Sequence, residues 1–375
     1  MYYAKEVVQR LRQSEDIVIY GARIVAKEVA NCLLGAPYQL EIKCFMVSDM
    51  VGNPESIMGI PVITVKEGRE KYQNALILVA VMEKYMDEIS YTLSQNGFHN
   101  IIFLGFESDL WSALRGNYYC ELRKRQNKSY ITLEEELQKV SVSDNKDTSE
   151  VHIYMAKCHV DKPLSIDFSK YNWEIPIQVG ASLTDQRITD ICDNQGENIS
   201  EKNREYCELT ALYWIWKNDH SKYAGLCHYR RHFLLTDELL KRLASSDIDV
   251  VLTIPILNFP SVRDAYVHDH IEMDWDIMLE AIEKLQPEYR EAAEEIQNGV
   301  FYCGYNMFIA RKEILNAYCE WLFPILAYCE KKCGVKEDPY QNRYIGFLAE
   351  RLLTIYFMHH ESKYKIAYAN KEFCK

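Results

Sequence analysis

No stretch of this sequence approaches the ~20 consecutive apolar residues that span a bilayer. Its opening, MYYAKEVVQRLRQSED, mixes charges into every turn and so does not read as a secretory leader. The location expected from these absences is the cytoplasm, where the 12 cysteines stay reduced. Those cysteines form no CxxC unit, and Cys329 and Cys333, one helical turn apart, read as small buried hydrophobes rather than metal ligands. An excess of basic charge is also missing. A formal net charge of −12 argues against a general nucleic-acid binder, which needs a basic footprint. Low-complexity tracts and internal repeats are absent too.

What is present is a globular balance of 48% apolar and 26% charged residues. At 375 residues the chain exceeds the ~250–300 at which a single core stops growing, so two domains are expected. Tyrosine outnumbers phenylalanine 27 to 13, and its hydroxyl on an apolar ring suits the lining of polar clefts, sugar sites among them.

The first hundred residues alternate strand and helix signals. Apolar strands are predicted at residues 16–20, 42–47, 75–80 and 101–104, with a helix through Leu33-Leu34 after the first and a short Ile60-Pro61-Val62 stretch after the second. That rhythm indicates a doubly wound parallel sheet, a Rossmann-like domain over residues 1–110. Texture changes across 111–150, where Arg123-Lys124-Arg125 is basic and Ser141 to Glu150 is polar and aperiodic; this reads as a linker, part helical and part polar. The Arg123-Lys124-Arg125 run could also draw the chain to anionic headgroups. A second α/β unit, 151–375, opens on the strand-like Val151-His152-Ile153-Tyr154-Met155-Ala156.

The first strand of the N-terminal part runs into Gly21-Ala22-Arg23-Ile24-Val25-Ala26. A dinucleotide fingerprint would want glycines at 21, 23 and 26, for the tight turn, the close approach of pyrophosphate and helix packing. Only Gly21 fits fully, and Arg23 sets a long side chain where phosphate should meet backbone. Asp49, at the end of the second strand, is similar to a ribose-binding carboxylate. With Gly52-Asn53-Pro54 and Gly59-Ile60-Pro61-Val62, the segment resembles the often degenerate Rossmann-like domains attached to sugar-modifying enzymes. A structural or partner-docking role is the expectation, a bound nucleotide at Gly21, Arg23 and Asp49 the alternative, and redox chemistry the weakest reading.

Three blocks of the C-terminal part carry chemistry. The first runs from Asp193 through Ser200, a helix N-cap candidate, into YCELTALYWIWKN. Leu209, Leu212, Tyr213 and Trp216 fall at helical spacing, so Trp214 and Trp216 read as core rather than as a sugar platform. Glu208 either pairs with Arg204 one turn earlier or faces a cleft. In the second block, GLCHYRRHF, a short apolar strand ends in His228-Tyr229-Arg230-Arg231. Guanidinium forks match phosphate oxygens bidentately, so phosphate binding is set against a solvated basic turn. Asp247-Ile248-Asp249 precedes a strand, whereas a metal-holding acidic motif follows one, so chance or strand capping explains it better. His268-Asp269-His270 and Asp274-Trp275-Asp276 are a denser set of ligand or sugar-hydroxyl candidates, without the spacing of any metal class. The third block is YCGYNMFIARKEI, followed by RYIGFLAERLL, in which Arg343 and Glu350 share a helix face.

In this order the blocks resemble the glycosyltransferase domain family of capsule and exopolysaccharide clusters, long known only as a domain of unknown function; the resemblance covers about 151–370. It implies a GT-A-like α/β glycosyltransferase domain that moves a hexose, galactofuranose or galactose among the options, from a UDP-sugar to a lipid-linked oligosaccharide. The nucleotide is expected near Tyr154, Ala156 and residues 178–181 including Gly180. His228, Tyr229, Arg230 and Arg231, with Asn203, Asn306 and Arg343, are expected on the donor and its diphosphate. Enzymes of that kind usually hold the diphosphate through a metal on an Asp-x-Asp motif. Guanidinium in its place favours chemistry without Mn or Mg; if a metal is needed, Asp249, Asp269 or Asp274 would be its ligands. Glu350 is the first candidate for the general base of an inverting displacement, because a charge in an apolar helix is costly unless it meets a polar cleft. Asp274, Asp276 and Glu208 follow, and a structural pair of Glu350 with Arg343 or Arg351 is the rival. The competing reading of the whole chain is a non-catalytic nucleotide-sugar-binding or scaffold protein.

Overall fold

The computed structural model describes residues 3–141, 150–164 and 171–374. The chain divides into two compact units, Met1–Ser129 and Tyr130–Lys375.

The first unit is a twisted sheet of β1 (Ile17–Tyr20), β2 (Cys44–Val47), β3 (Ser56–Ile57), β4 (Ile60–Thr64), β5 (Leu76–Val79) and β6 (Ile101–Phe103), in the order β3-β4-β2-β1-β5-β6. All pairs are parallel except β3 with β4. The four predicted strands are β1, β2, β5 and β6, each shortened by one or two residues; the Ile60-Pro61-Val62 stretch is the longer β4, and β3 was not predicted. Runs such as Leu76–Val79 are buried throughout, as strands covered on both faces must be. Order reverses beside β1, so the β1 turn at Gly21 sits at the topological switch point.

The predicted linker is divided between the units. Its first half is a helix, Asp109–Arg125, whose Trp111, Leu114 and Arg115 are buried. The basic run is the last turn of that helix, where cations favour the carbonyl end. Arg123 is buried and donates from Nε to the Ser129 carbonyl at 3.1 Å, and Arg125 pairs with Glu121. Three outward charges for a membrane surface are therefore not what the run supplies. Leu133 and Leu137, further along, join the core of the second unit. Of the predicted polar stretch, residues 142–149 lie outside the described residues.

In the second unit a large sheet is built from β7 (Val151–Lys157), β8 (Glu174–Gln178), β9 (Ile191–Cys192), β10 (Tyr223–His228), β11 (Arg231–Phe233), β12 (Val250–Thr253), β15 (Phe308–Arg311), β16 (Ile366–Ala369) and β17 (Lys371–Phe373), while β13 (Ile256–Leu257) and β14 (Phe301–Tyr302) form a small ribbon. The main path is β16-β12-β15-β10-β7-β8-β9, with β11 bridging β10 to β17. Strands β10, β7, β8 and β9 are mutually parallel, and β15 is antiparallel to β10. One face carries Val151, Ile153, Met155 and Val251 against Leu133, Leu137, Leu240 and Leu243. The helices Leu209–Asn218 and Lys312–Cys333 pack on β10. Among the described residues no helix is long and apolar enough to cross a membrane.

Candidate active site

Parallel strands β7, β8 and β10 deliver their C-terminal ends to one edge, where open α/β sheets form their ligand crevices. A cleft of about 840 Å³ opens there, walled by Ala156 and Lys157 from β7, Val179 after β8, and His228 to Arg231 at the end of β10. Further wall comes from Asn203 to Glu205, Cys207 and Glu208, and from Lys336, Asn342 and Arg343. Although the chain is acidic overall, Lys157, Arg204, Arg230, Arg231 and Arg343 face this space against Asp161, Glu205, Glu208 and Glu337, while Lys336 is paired with the buried Asp274. Such an excess of cations in a concave wall focuses potential on an anion.

The helix expected to start at Ser200 is instead broken. A short turn, Asn203–Tyr206, ends at Cys207 with φ 50°, and a new helix begins at Leu209. Asn203 secures the break, donating from Nδ2 to the Cys207 carbonyl at 2.7 Å. The kink carries Glu208 to the cleft wall, where Asn306 Nδ2 donates to its Oε1 at 2.6 Å. Because the helix is not continuous, Glu208 forms no ion pair with Arg204 among the described residues. Cys207 brings its Sγ within 3.2 Å of Arg343 Nε, while burial and the nearby Glu208 push its thiol up to about 12, so it stays protonated and unreactive.

Ser200 does not cap a helix. Its hydroxyl donates to Asp193 Oδ1 at 2.5 Å and accepts from the Ser182 amide. Asp193, fully buried, also accepts from the amides of Gly180 and Ala181 at 2.8 and 3.0 Å. Gly180 sits at φ 65°, and a Cβ there would meet Asn203 Oδ1 at 2.7 Å, so this turn requires glycine. Sequence reasoning missed Asp193, whose only mark was a position next to asparagine in a polar loop.

Tyr154 lies elsewhere than expected: its hydroxyl goes to Asp219 at 2.9 Å, and the residue is buried. Arg230 donates from Nε to the Cys374 carbonyl at 3.2 Å and lies over the Phe373 ring, and Arg231 lies 4.3 Å over the Tyr305 ring. Tyr229 turns its amide to the Ala156 carbonyl, tying the basic turn to the end of β7. His228 Nε2 is 2.5 Å from the Tyr305 carbonyl.

Glu350 reaches the same loop from behind. Its Oε1 accepts the Tyr305 amide at 2.7 Å and its Oε2 accepts from Arg351 at 2.7 Å. Burial, joined by Glu208, raises its pKa against the pull of Arg351. Of the two structural partners weighed for it, Arg351 is the one it meets. Glu350→Gln keeps an acceptor for the Tyr305 amide and removes a charge that burial disfavours, so melting temperature should hold and turnover stay within about tenfold. Glu350→Ala should lose both together. Loss of ~10²-fold or more in the Gln variant, with intact melting, would make Glu350 the base instead.

Asp274 is buried, does not line the cleft, and accepts from Lys336 at 2.7 Å. Asp276 pairs with Arg263, and Asp269 accepts from the exposed His268. His270 stacks on Phe347, and burial lowers its pKa to about 4. Asp249 holds Arg311, and Asp247 holds Lys365. Side chains read as a ligand cluster are thus dispersed into separate pairs. Trp216 stacks on Phe323, and Trp214 donates to the Gln195 carbonyl. Among the described residues one group could hold a metal by proximity, the buried Glu174, Cys227 and His232. Both ring nitrogens of His232 are already engaged, Nδ1 by Glu174 at 2.8 Å and Nε2 by the Tyr229 carbonyl at 3.2 Å, which fits an internal pair.

In the first unit, Gly21 has φ 125°, and a Cβ there would meet the Ala80 carbonyl at 2.7 Å. Arg23 donates to the Gly52 carbonyl at 3.0 Å, and Asp49 accepts the Val51 amide at 2.8 Å. Arg23 thus ties the turn after β1 to the loop after β2, and Asp49 closes the start of that second loop.

Residues 153–361 match the family model described as "Domain of unknown function (DUF4422)". The chain belongs to that family. No curated protein matches it. Among solved structures it is similar to the apo structure of the bifunctional glycosyltransferase WbbM, at 28% identity and a TM-score of 0.53, over 60% of this chain and 45% of that one. This chain therefore spans less than half the length of WbbM. The fold class expected from the sequence, two α/β units with a GT-A-like second one, agrees with the sheets and with this likeness.

Proposed function

We propose that the second unit is a glycosyltransferase that moves a hexose from a nucleoside diphosphate donor, a UDP-sugar, to a hydroxyl of a lipid-linked glycan during surface-polysaccharide assembly. The observation that carries this reading is the convergence of Arg230, Arg231, Arg343 and Lys157 with Glu208 and His228 in one cleft at the C-terminal strand ends. Likeness to a glycosyltransferase supports it. The acceptor oxygen attacks the anomeric carbon, and the bond from that carbon to the diphosphate breaks with its electrons left on a phosphate oxygen. Guanidinium forks neutralise that charge bidentately. Direct displacement inverts the anomeric centre; galactose and galactofuranose are the hexoses we favour. Ala156, Val179 and Gly180 shape the nucleotide end of the cleft, and Asn203 and Asn306 hold its walls.

A thermal-shift panel of UDP-, GDP- and dTDP-sugars tests the donor, with UDP-sugars expected to stabilise the protein most. Turnover, followed as UDP release in the presence of octyl galactoside, should persist in excess chelator, since cationic side chains occupy the place of an acidic metal motif. Complete loss restored by manganese would return Asp249, Asp269 or Asp274 to consideration. Binding without turnover for any donor would favour a non-catalytic nucleotide-sugar-binding protein.

A further inference from the structure

His228 ends β10, paired with Ala156 on one side and Arg231 on the other, so its backbone is fixed among three strands. Its Nε2 faces the Tyr305 carbonyl at 2.5 Å. A carbonyl oxygen only accepts, so Nε2 carries the proton and a neutral ring keeps its lone pair on Nδ1. Nδ1 has no hydrogen-bond partner among the described residues, and the half-buried ring lines the cleft. We propose that His228 is the general base of the transfer, receiving the acceptor's proton on Nδ1 while Glu208 stabilises the imidazolium that forms. This assignment rests on the sugar-transfer reading.

The charged groups around the ring come from every segment packed on it. Glu208 lies at the helix break, Arg231 on β11, and Arg343 ahead of the helix Tyr344–His359. Burial lowers the His228 pKa, Arg231 and Arg343 lower it further, and Glu208 and the Tyr305 carbonyl oppose them. The ring is therefore neutral, and able to accept, at ordinary working pH. As the acceptor oxygen bonds to the anomeric carbon, its proton passes to Nδ1, and the electron pair of the breaking bond stays on the diphosphate. The charge of the imidazolium is then offset by Glu208 in the same cleft, whose Oε1 is already held by Asn306. Its rivals are worse placed. Glu350 has both oxygens engaged by Tyr305 and Arg351, and Asp274 is held by Lys336.

The test uses the full chain and the donor that stabilises it most. His228→Gln retains an N–H for the Tyr305 carbonyl but offers no base. Its turnover should fall at least about 10²-fold, with UDP affinity by calorimetry and melting temperature unchanged. The acid limb of kcat/KM in the unsubstituted protein should lie below the ordinary histidine value of about 6.5 and vanish from the residual activity of the variant. Glu208→Gln removes the anion that raises the His228 pKa, so its acid limb should move to lower pH. If His228→Gln keeps more than a tenth of turnover, or loses turnover only in step with UDP affinity, the assignment is wrong. A Glu208→Gln variant that loses the acid limb altogether gives the role of base to Glu208. A protein that neither binds UDP nor turns over any donor overturns the sugar-transfer reading, and this assignment with it.

Discussion

Arg231→Ala is expected to lower turnover by about 10²–10³-fold, the cost typical of removing one preorganised donor from a site of developing negative charge. Arg231 begins β11, and pairing with both β10 and β17 fixes its backbone. Its guanidinium lies 4.3 Å over the Tyr305 ring and 5.2 Å over the Phe373 ring, which orients the plane of the fork before any ligand arrives. Pre-orientation is what makes a guanidinium worth more than a mobile surface charge. Arg231→Lys keeps the charge but not the planar fork, so it should recover only part of the loss. A second signature follows from His228. Arg231 helps to hold the His228 pKa down, so without it the acid limb of kcat/KM should move to higher pH. Unchanged UDP affinity, turnover and acid limb would make Arg231 a packing residue for Tyr305 and Phe373 alone.

Much of the architecture was legible because strands buried on both faces leave continuous apolar runs, as in Leu76–Val79, and because the basic turn follows directly on such a run at His228. Two kinds of feature were not. The first is a break in regular structure without a residue that announces it. Asn203 to Asn218 has a continuous helical period, yet the chain turns through φ 50° at a cysteine rather than a glycine, and that turn moves Glu208 from a helix face to the cleft. The second is pairing across long sequence separations. Tyr305 is held on its amide by Glu350 and on its carbonyl by His228, and nothing local in any of the three segments encodes this. The packing of the basic run was hidden for a related reason. Arg123 looks like a solvated charge in a basic run, but burial and the Ser129 carbonyl make it part of the first unit.

Asp193→Ala is expected to destabilise the second unit by about 3–5 kcal/mol, the largest effect on stability predicted here for any residue near the cleft. The carboxylate is fully buried and accepts three hydrogen bonds, from the Gly180 amide, the Ala181 amide and the Ser200 hydroxyl. Removing it leaves three donors without that acceptor, at about 1–3 kcal/mol for each one that finds no replacement. The Ser200 hydroxyl can rotate, but the two amides belong to a turn whose backbone, at φ 65° on Gly180, points both at the carboxylate. Asp193→Asn should cost roughly half as much. Its amide oxygen still accepts one or two of these bonds, while its NH2 turns a donor toward another. Gly180 follows Val179 on the cleft wall, so the same variants should weaken UDP binding more than they weaken donor-independent features such as secondary-structure content. Urea unfolding followed by far-UV circular dichroism, paired with calorimetric titration of UDP, measures both quantities. If Asp193→Ala melts within ~0.5 kcal/mol of the parent protein, the loop is held by other contacts, and its glycine turn forms without the carboxylate.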